Sequence, residues 1–337
     1  MLMFERQREA RGRSRRLLLA FALAVVALVV MVNAAALLAW GVVWGFWAPG
    51  GFAIPGYFFE TTTTLVLLYV LGGWWLETSR LASGGAIALS ERLGARRLNA
   101  STDFDERRFE NIVDEMAVAS GMRRPTPMLL ARDQSINAFA AGWDENDAVV
   151  AVTRGALDYL TREELQGMVA HEFSHIVEGD TRMNMRLLGM VWGIELIYRG
   201  GQSLYDPDWS ERTLVGMVLG RILMAVGWLG WLVGHALQAA VSRQLEFLAD
   251  ARSVQWTRSR EAMGGVLRKV AGLREMHIES LTMAPAVQHM LLIGTEGRIS
   301  DRWLDSHPPL EKRIKRIYGR NMPPIRPQRV DERTVFA

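Results

Sequence analysis

The chain has 337 residues, half of them apolar, with 12 tryptophans, no cysteine and a formal net charge of +3. That length allows more than one domain. The absence of cysteine excludes disulfides, Cys-zinc sites and thiol nucleophiles, and so small a charge gives no argument for nucleic acid as a partner.

Residues 1–16 form a basic N-terminus with six arginines, directly before an apolar run. Residues 17–47 carry no charge and one strongly polar residue, Asn33. The run exceeds the roughly 20 residues a helix needs to cross a bilayer core, and it is too long for a cleavable secretory signal. Trp40, Trp44 and Trp47 suit a membrane interface, and "APGGFAIPG" then breaks the helix. A second span is expected over 57–78, so that 17–78 holds two transmembrane helices. A third is expected over 187–205 and a fourth from Thr213 to about Ala240, within 187–240. The third carries Glu195 and Arg199, at the i,i+4 spacing of a helical ion pair. The fourth carries Arg221 and His235. Such residues either glue helices together or line a polar cavity. Arginine is concentrated before the first span and after the second (Arg80, Arg92, Arg96, Arg97, Arg107, Arg108). The loops at 48–56 and "DPDWSER" lack that excess, so both termini and 79–186 are expected in the cytoplasm.

Residues 79–186 and 241–320 read as the two parts of one cytoplasmic domain, followed by a polar tail at 321–337. "DFDERRFENIVDEMAVASG" has the pattern of an amphipathic helix ending at Gly121. "TPMLLAR", "INAFAAGW" and "AVVAVTRG" are short apolar runs between polar turns and predict a small sheet. Thr161 and Glu164 form a capping box at the start of the next helix.

That helix contains "HEFSH" at 171–175. Histidines four apart share one helix face and offer two corners of a zinc tetrahedron, with Glu172 in reach of a metal-bound water. A catalytic site also needs a third protein ligand, and no third histidine follows closely. "SRQLEFLAD" at 242–250 supplies Glu246, with Asp250 one turn later and able to accept a hydrogen bond from a ligand histidine. Taken alone, that pair reads as a solvated helix face.

Four elements in this order, "NAFAAG" (137–142), "HEFSH" (171–175), "SRQLEFLAD" (242–250) and "HPPLEKRI" (307–314), resemble the HtpX-type integral-membrane zinc metalloproteases, relatives of the CAAX prenyl proteases. The resemblance covers about 17–318. It implies a gluzincin domain with one zinc on His171, His175 and Glu246, and Asp250 behind the ligands. Asn137, Ala138, Phe139, Ala140 and Gly142 then look like the edge strand to which a substrate backbone adds. His307 becomes a candidate oxyanion donor and Arg313 a supporting charge, although His307 alone is as readily a surface histidine. His235, His277 and His289 are read as structural.

The expected architecture is therefore a mainly α integral-membrane protein with four transmembrane helices and a cytoplasmic α+β zincin-like domain carrying a small sheet. The expected function is zinc-dependent endopeptidase cleavage of misfolded or damaged membrane proteins at the cytoplasmic face of a bacterial inner membrane. The bilayer and those substrates are its expected partners. A prenyl-protein protease and a non-enzymatic scaffold with a structural zinc are the alternatives.

Overall fold

The computed structural model describes residues 2–47, 53–205, 214–275, 290–292 and 307–330. Among these the chain runs α1 (Leu2–Trp47), α2 (Phe58–Arg92), β1 (Arg96–Arg97), α3 (Phe104–Ser120), β2 (Thr126–Leu130), β3 (Ala138–Ala141), β4 (Val149–Thr153), α4 (Arg154–Tyr159), α5 (Arg162–Glu178), α6 (Asp180–Tyr205), α7 (Leu214–Thr257), α8 (Arg260–Glu275) and α9 (Leu310–Tyr318). The loop "DPDWSER", His277, His289 and the last seven residues lie outside the described set. The chain divides into two compact units, Met1–Arg80 with Arg186–Leu237, and Leu81–Met185 with Gln238–Ala337.

The first unit is helical. The expected spans fall largely within α1, α2, α6 and α7, and among the described residues one stretch, Leu19–Val42, is long and apolar enough to cross a membrane; Gly216–Gly230 is a shorter apolar stretch. On α1, Phe21, Val25, Leu28 and Val32 are buried, while Leu19, Leu23, Val26 and Val30 are exposed. A helix apolar on its outer face as well as its inner one is matched to lipid rather than water. Leu65, Leu68 and Trp75 on α2 are exposed in the same way. Asn33 is accommodated by α2: its Nδ2 donates to Thr63 Oγ1 at 3.0 Å, and Thr62 donates back to its Oδ1. The Arg199–Glu195 pair forms at 3.1 Å, with the guanidinium 4.2 Å from the centre of the Trp192 ring.

The second unit holds a four-stranded sheet in the order β1-β2-β4-β3, with β2 parallel to β4 and the other neighbours antiparallel. The three apolar runs became β2, β3 and β4. The two-residue β1 had no apolar signal, since both its residues are exposed arginines. Phe109 and Ile112 of α3, Val150 and Val152 of β4, Met168 and Phe173 of α5, and Val266 of α8 share one core. The helix ends follow their caps. Asp103 accepts from Asp105 and Glu106 N–H, Gly121 is left-handed, and Thr161 and Glu164 cap each other reciprocally. Two contacts bring neighbours against α5. A Cβ at Gly167 would lie 2.5 Å from the Ala262 backbone, so α8 can approach closely, and Ser253 Oγ on α7 donates to Gly167 O at 2.6 Å.

Candidate metal centre

The helix α5 has a 3.6-residue turn, so His171 and His175 stack one above the other. Their Nε2 atoms are 3.2 Å apart. The helix α7, tied to α5 by Ser253, places Glu246 opposite them. Its Oε2 is 3.6 Å from His171 Nε2 and its Oε1 is 3.6 Å from His175 Nε2. Among the described residues these three side chains form a group able to hold a metal ion. Separations of 3.2–3.6 Å suit the edges of a tetrahedron with ligand bonds of about 2.0–2.1 Å, which are ~3.3 Å long.

Each histidine is steered from behind by a carboxylate. Asp250 Oδ1 is 3.1 Å from His171 Nδ1, and Asp180 Oδ2 is 3.1 Å from His175 Nδ1. Both outer contacts turn the Nε2 atoms toward the shared centre. Asp180 was missed by the sequence reading. Its signal was Gly179, the left-handed cap that ends α5 and turns the next carboxylate back onto the last helical turn.

Arg313, fully buried on α9, grips Asp250 through Nε at 2.9 Å and Nη2 at 2.7 Å. Its Nη1 donates to Leu292 O at 3.0 Å. The same nitrogen lies 3.0 Å from Glu246 Oε2 but off hydrogen-bond alignment, so that buried oxygen has no hydrogen-bond partner among the described residues. Neither ring nitrogen of His307 has one, nor does Glu172 Oε1. His307 Nδ1 lies 3.3 Å from Glu246 Oε1. Buried polar atoms left open around one point mark a place where a ligand is expected.

The charges of the site follow from burial and neighbours. Burial opposes ionisation of Glu246, yet His307, Arg313 and His175 hold it well below the usual carboxylate range. Asp250 is held low against burial by Arg313 and His171. Burial lowers His171, whereas Asp180 and Glu246 overcome burial and push His175 well above its ordinary value. Glu172 is pushed up to about 8, chiefly by burial and further by the Glu246 charge; His175, Arg313 and the Ala140 N–H act in the opposite direction. One carboxylate poised near neutrality beside others that stay ionised is the division of labour expected of a proton carrier among ligands.

The strand β3 lies at the sheet edge, beside this centre. Thr153 N–H donates to Asn137 O, which makes Asn137, Phe139 and Ala141 the positions bonded to β4, so Ala138 and Ala140 turn their backbone groups outward. The edge is partly occupied. Ala138 receives a hydrogen bond from Leu292 N–H at 2.7 Å and gives its own N–H to Asn137 Oδ1 at 3.0 Å. Phe139 bridges Leu291 in antiparallel fashion.

Residues 103–321 match peptidase family M48. Similar curated proteins include three named Protease HtpX homolog. That of Dictyoglomus turgidum is 32% identical over 61% of this chain and 67% of its own length. The Thermoanaerobacter pseudethanolicus protein is 32% identical over 64% and 72%, and the Ligilactobacillus salivarius protein 34% identical over 61% and 71%. Among solved structures, S. mikatae Ste24p aligns with 93% of this chain and 66% of its own at 13% identity, and its TM-score of 0.39 is too low to carry an argument. The match to family M48 covers most of the chain and encloses every residue of the centre, and so this chain, a membrane metalloprotease, belongs to peptidase family M48.

Proposed function

We propose that the protein is a zinc-dependent endopeptidase that cleaves misfolded or damaged membrane proteins at the cytoplasmic face of a bacterial inner membrane. The observation that carries this reading is the triangle of His171, His175 and Glu246, two imidazoles and a carboxylate with separations suited to zinc. Those three residues would hold the metal, with Asp250 and Asp180 fixing the imidazoles. When bound, zinc supplies Lewis acidity toward water and the scissile carbonyl.

The remaining steps belong to the chain. Glu172 accepts the proton of the attacking water and returns it to the leaving amine, a role that suits a carboxyl with a pKa near 8. His307, part-buried with neither ring nitrogen hydrogen-bonded among the described residues, donates to the oxyanion in this reading. Arg313 holds Asp250 and adds a positive charge beside Glu246. The substrate backbone adds as a strand along β3. The family resemblance supports the quality-control role. Four spans, with both termini and the catalytic domain in the cytoplasm, are supported by the arginine distribution.

Glu172→Gln tests the mechanism, because it removes the base and leaves the ligands. The variant should keep its metal and lose peptide cleavage, while chelation should silence the wild type until zinc is restored. Full cleavage by the variant would refute the assignment. For topology, Asp144→Cys should react with an impermeant thiol reagent only in inverted vesicles, and Asp208→Cys in intact spheroplasts; the reverse pattern would move the site outside the cytoplasm.

A further inference from the structure

The helix α2 breaks at Gly85, whose φ of 66° and ψ of −172° lie outside the helical region. The break turns the Ala86 N–H toward Asp147, in the turn between β3 and β4. That N–H lies 3.0 and 3.2 Å from the two carboxylate oxygens. The same carboxylate accepts the Trp143 N–H at 3.3 Å. Asp147 is thus the common partner of one amide in a helix and one at the end of the edge strand. Both flanking glycines fit around it. A Cβ at Gly85 would lie 2.4 Å from Asp147 Oδ1, and one at Gly142, whose φ is 151°, would lie 2.7 Å from Asp147 O. Two further ties hold the turn, from the Trp143 indole N–H to Leu81 O at 3.1 Å and from Arg182 to Trp143 O.

The opposite end of the edge is already used. Ala138 has both backbone groups engaged within the chain, and Leu291 covers Phe139. The Ala140 N–H is turned to the Glu172 carboxylate, so an added strand is left with the Ala140 C=O and the Gly142 backbone. This end has no side chain larger than alanine to fix it by packing.

We propose that Asp147 is a positioning residue for the substrate: by clamping the Gly142–Trp143 turn to the Gly85 break of α2, it sets where a peptide strand can pair with β3. This rests on the strand-addition reading under Proposed function. The clamp acts on binding, since it touches neither the metal ligands nor Glu172. It also makes substrate binding depend on the break in α2, the helix that continues from the second apolar segment.

The test uses the full-length protein in detergent with two substrates, a peptide and its depsipeptide. In the depsipeptide an ester replaces one amide beside the scissile bond, deleting one N–H donor. In the wild type this deletion should raise KM about three- to tenfold, the value of one hydrogen bond. Asp147→Asn opposes an NH2 to one of the two bound amides. It should raise the peptide KM by a similar factor at near-constant kcat and unchanged metal content, and it should shrink the depsipeptide penalty to roughly twofold or less, as expected for coupled groups. A turn serving stability alone would leave that penalty intact. Should Asp147→Asn fail to accumulate, Gly85→Ala disturbs the same clamp from the helix side and carries the same expectation. A folded variant with wild-type KM, or one whose kcat and metal content fall while the penalty stays, overturns the proposal. A wild type with no depsipeptide penalty at any position would instead overturn strand addition, and this proposal with it.

Discussion

Asp180 Oδ2 stands 3.1 Å from Nδ1 of His175, matching the 3.1 Å between Asp250 Oδ1 and Nδ1 of His171. The two carboxylates come from different elements, the first residue of α6 and the last two turns of α7; the Asp180 contact is an aligned hydrogen bond and the Asp250 contact lies off that alignment, but each stands behind its histidine. Each fixes the ring so that Nε2 faces the metal position. Asp180→Ala should therefore lower metal affinity by roughly 10–100-fold without abolishing binding, and Asp250→Ala should lower it by a comparable factor. Competition against a chelator of known affinity measures both. A loss from Asp180→Ala as complete as that from Glu246→Ala would make Asp180 a ligand itself.

Binding a cation at His175 must displace a proton, because Asp180 and Glu246 hold that imidazole protonated well above its ordinary pKa despite burial. A ligand histidine has to be neutral. Metal affinity should then rise with pH up to the raised pKa of His175 and fall as the medium is acidified, with proton release on binding. Calorimetry in buffers of different ionisation enthalpy reads that release directly. Binding without proton uptake by the buffer near neutral pH would contradict the protonated state.

The helix carrying His171 and His175 was legible because its signals are local. The His-Glu-x-x-His spacing, the Thr161 capping box and the alternation of apolar residues each need only a few neighbouring positions. Glu246 was legible only with the resemblance, since an isolated Glu-x-x-x-Asp fits any solvated helix; burying it against α5 depends on contacts such as Ser253 with Gly167, which no local pattern announces. The break at Gly85 was invisible for the same reason. Its partner, Asp147, lies 61 positions away. The pairing of Leu292 with Ala138 is likewise nonlocal, so the edge strand was recognised while its partial occupation was not.

Arg313 is fully buried between two carboxylates, and its guanidinium fork fills both oxygens of Asp250. Arg313→Leu leaves those charges uncompensated in a dry site and should destabilise the second unit by about 3–5 kcal/mol. Arg313→Lys keeps the charge but not the fork, so its thermal unfolding in detergent should fall between wild type and Arg313→Leu. If Arg313→Leu unfolds at the wild-type temperature, the buried pair contributes nothing to the fold.

Glu172 should cost the metal-free protein stability at alkaline pH. Its folded pKa of about 8 lies above the ordinary value of 4.5, chiefly through burial. Between those two values the folded chain retains a proton that the unfolded chain has released, so stability falls as pH rises. At 1.36 kcal/mol per pH unit the loss reaches a few kcal/mol by about pH 8. Glu172→Gln removes the titration. The metal-free variant should therefore match the metal-free wild type near pH 4.5 and exceed it increasingly toward pH 8. In the metal-loaded forms a nearby cation favours the carboxylate, so the gap should narrow. Denaturation of both proteins across that range, with and without zinc, measures it. A gap independent of pH would show that burial does not hold Glu172 protonated.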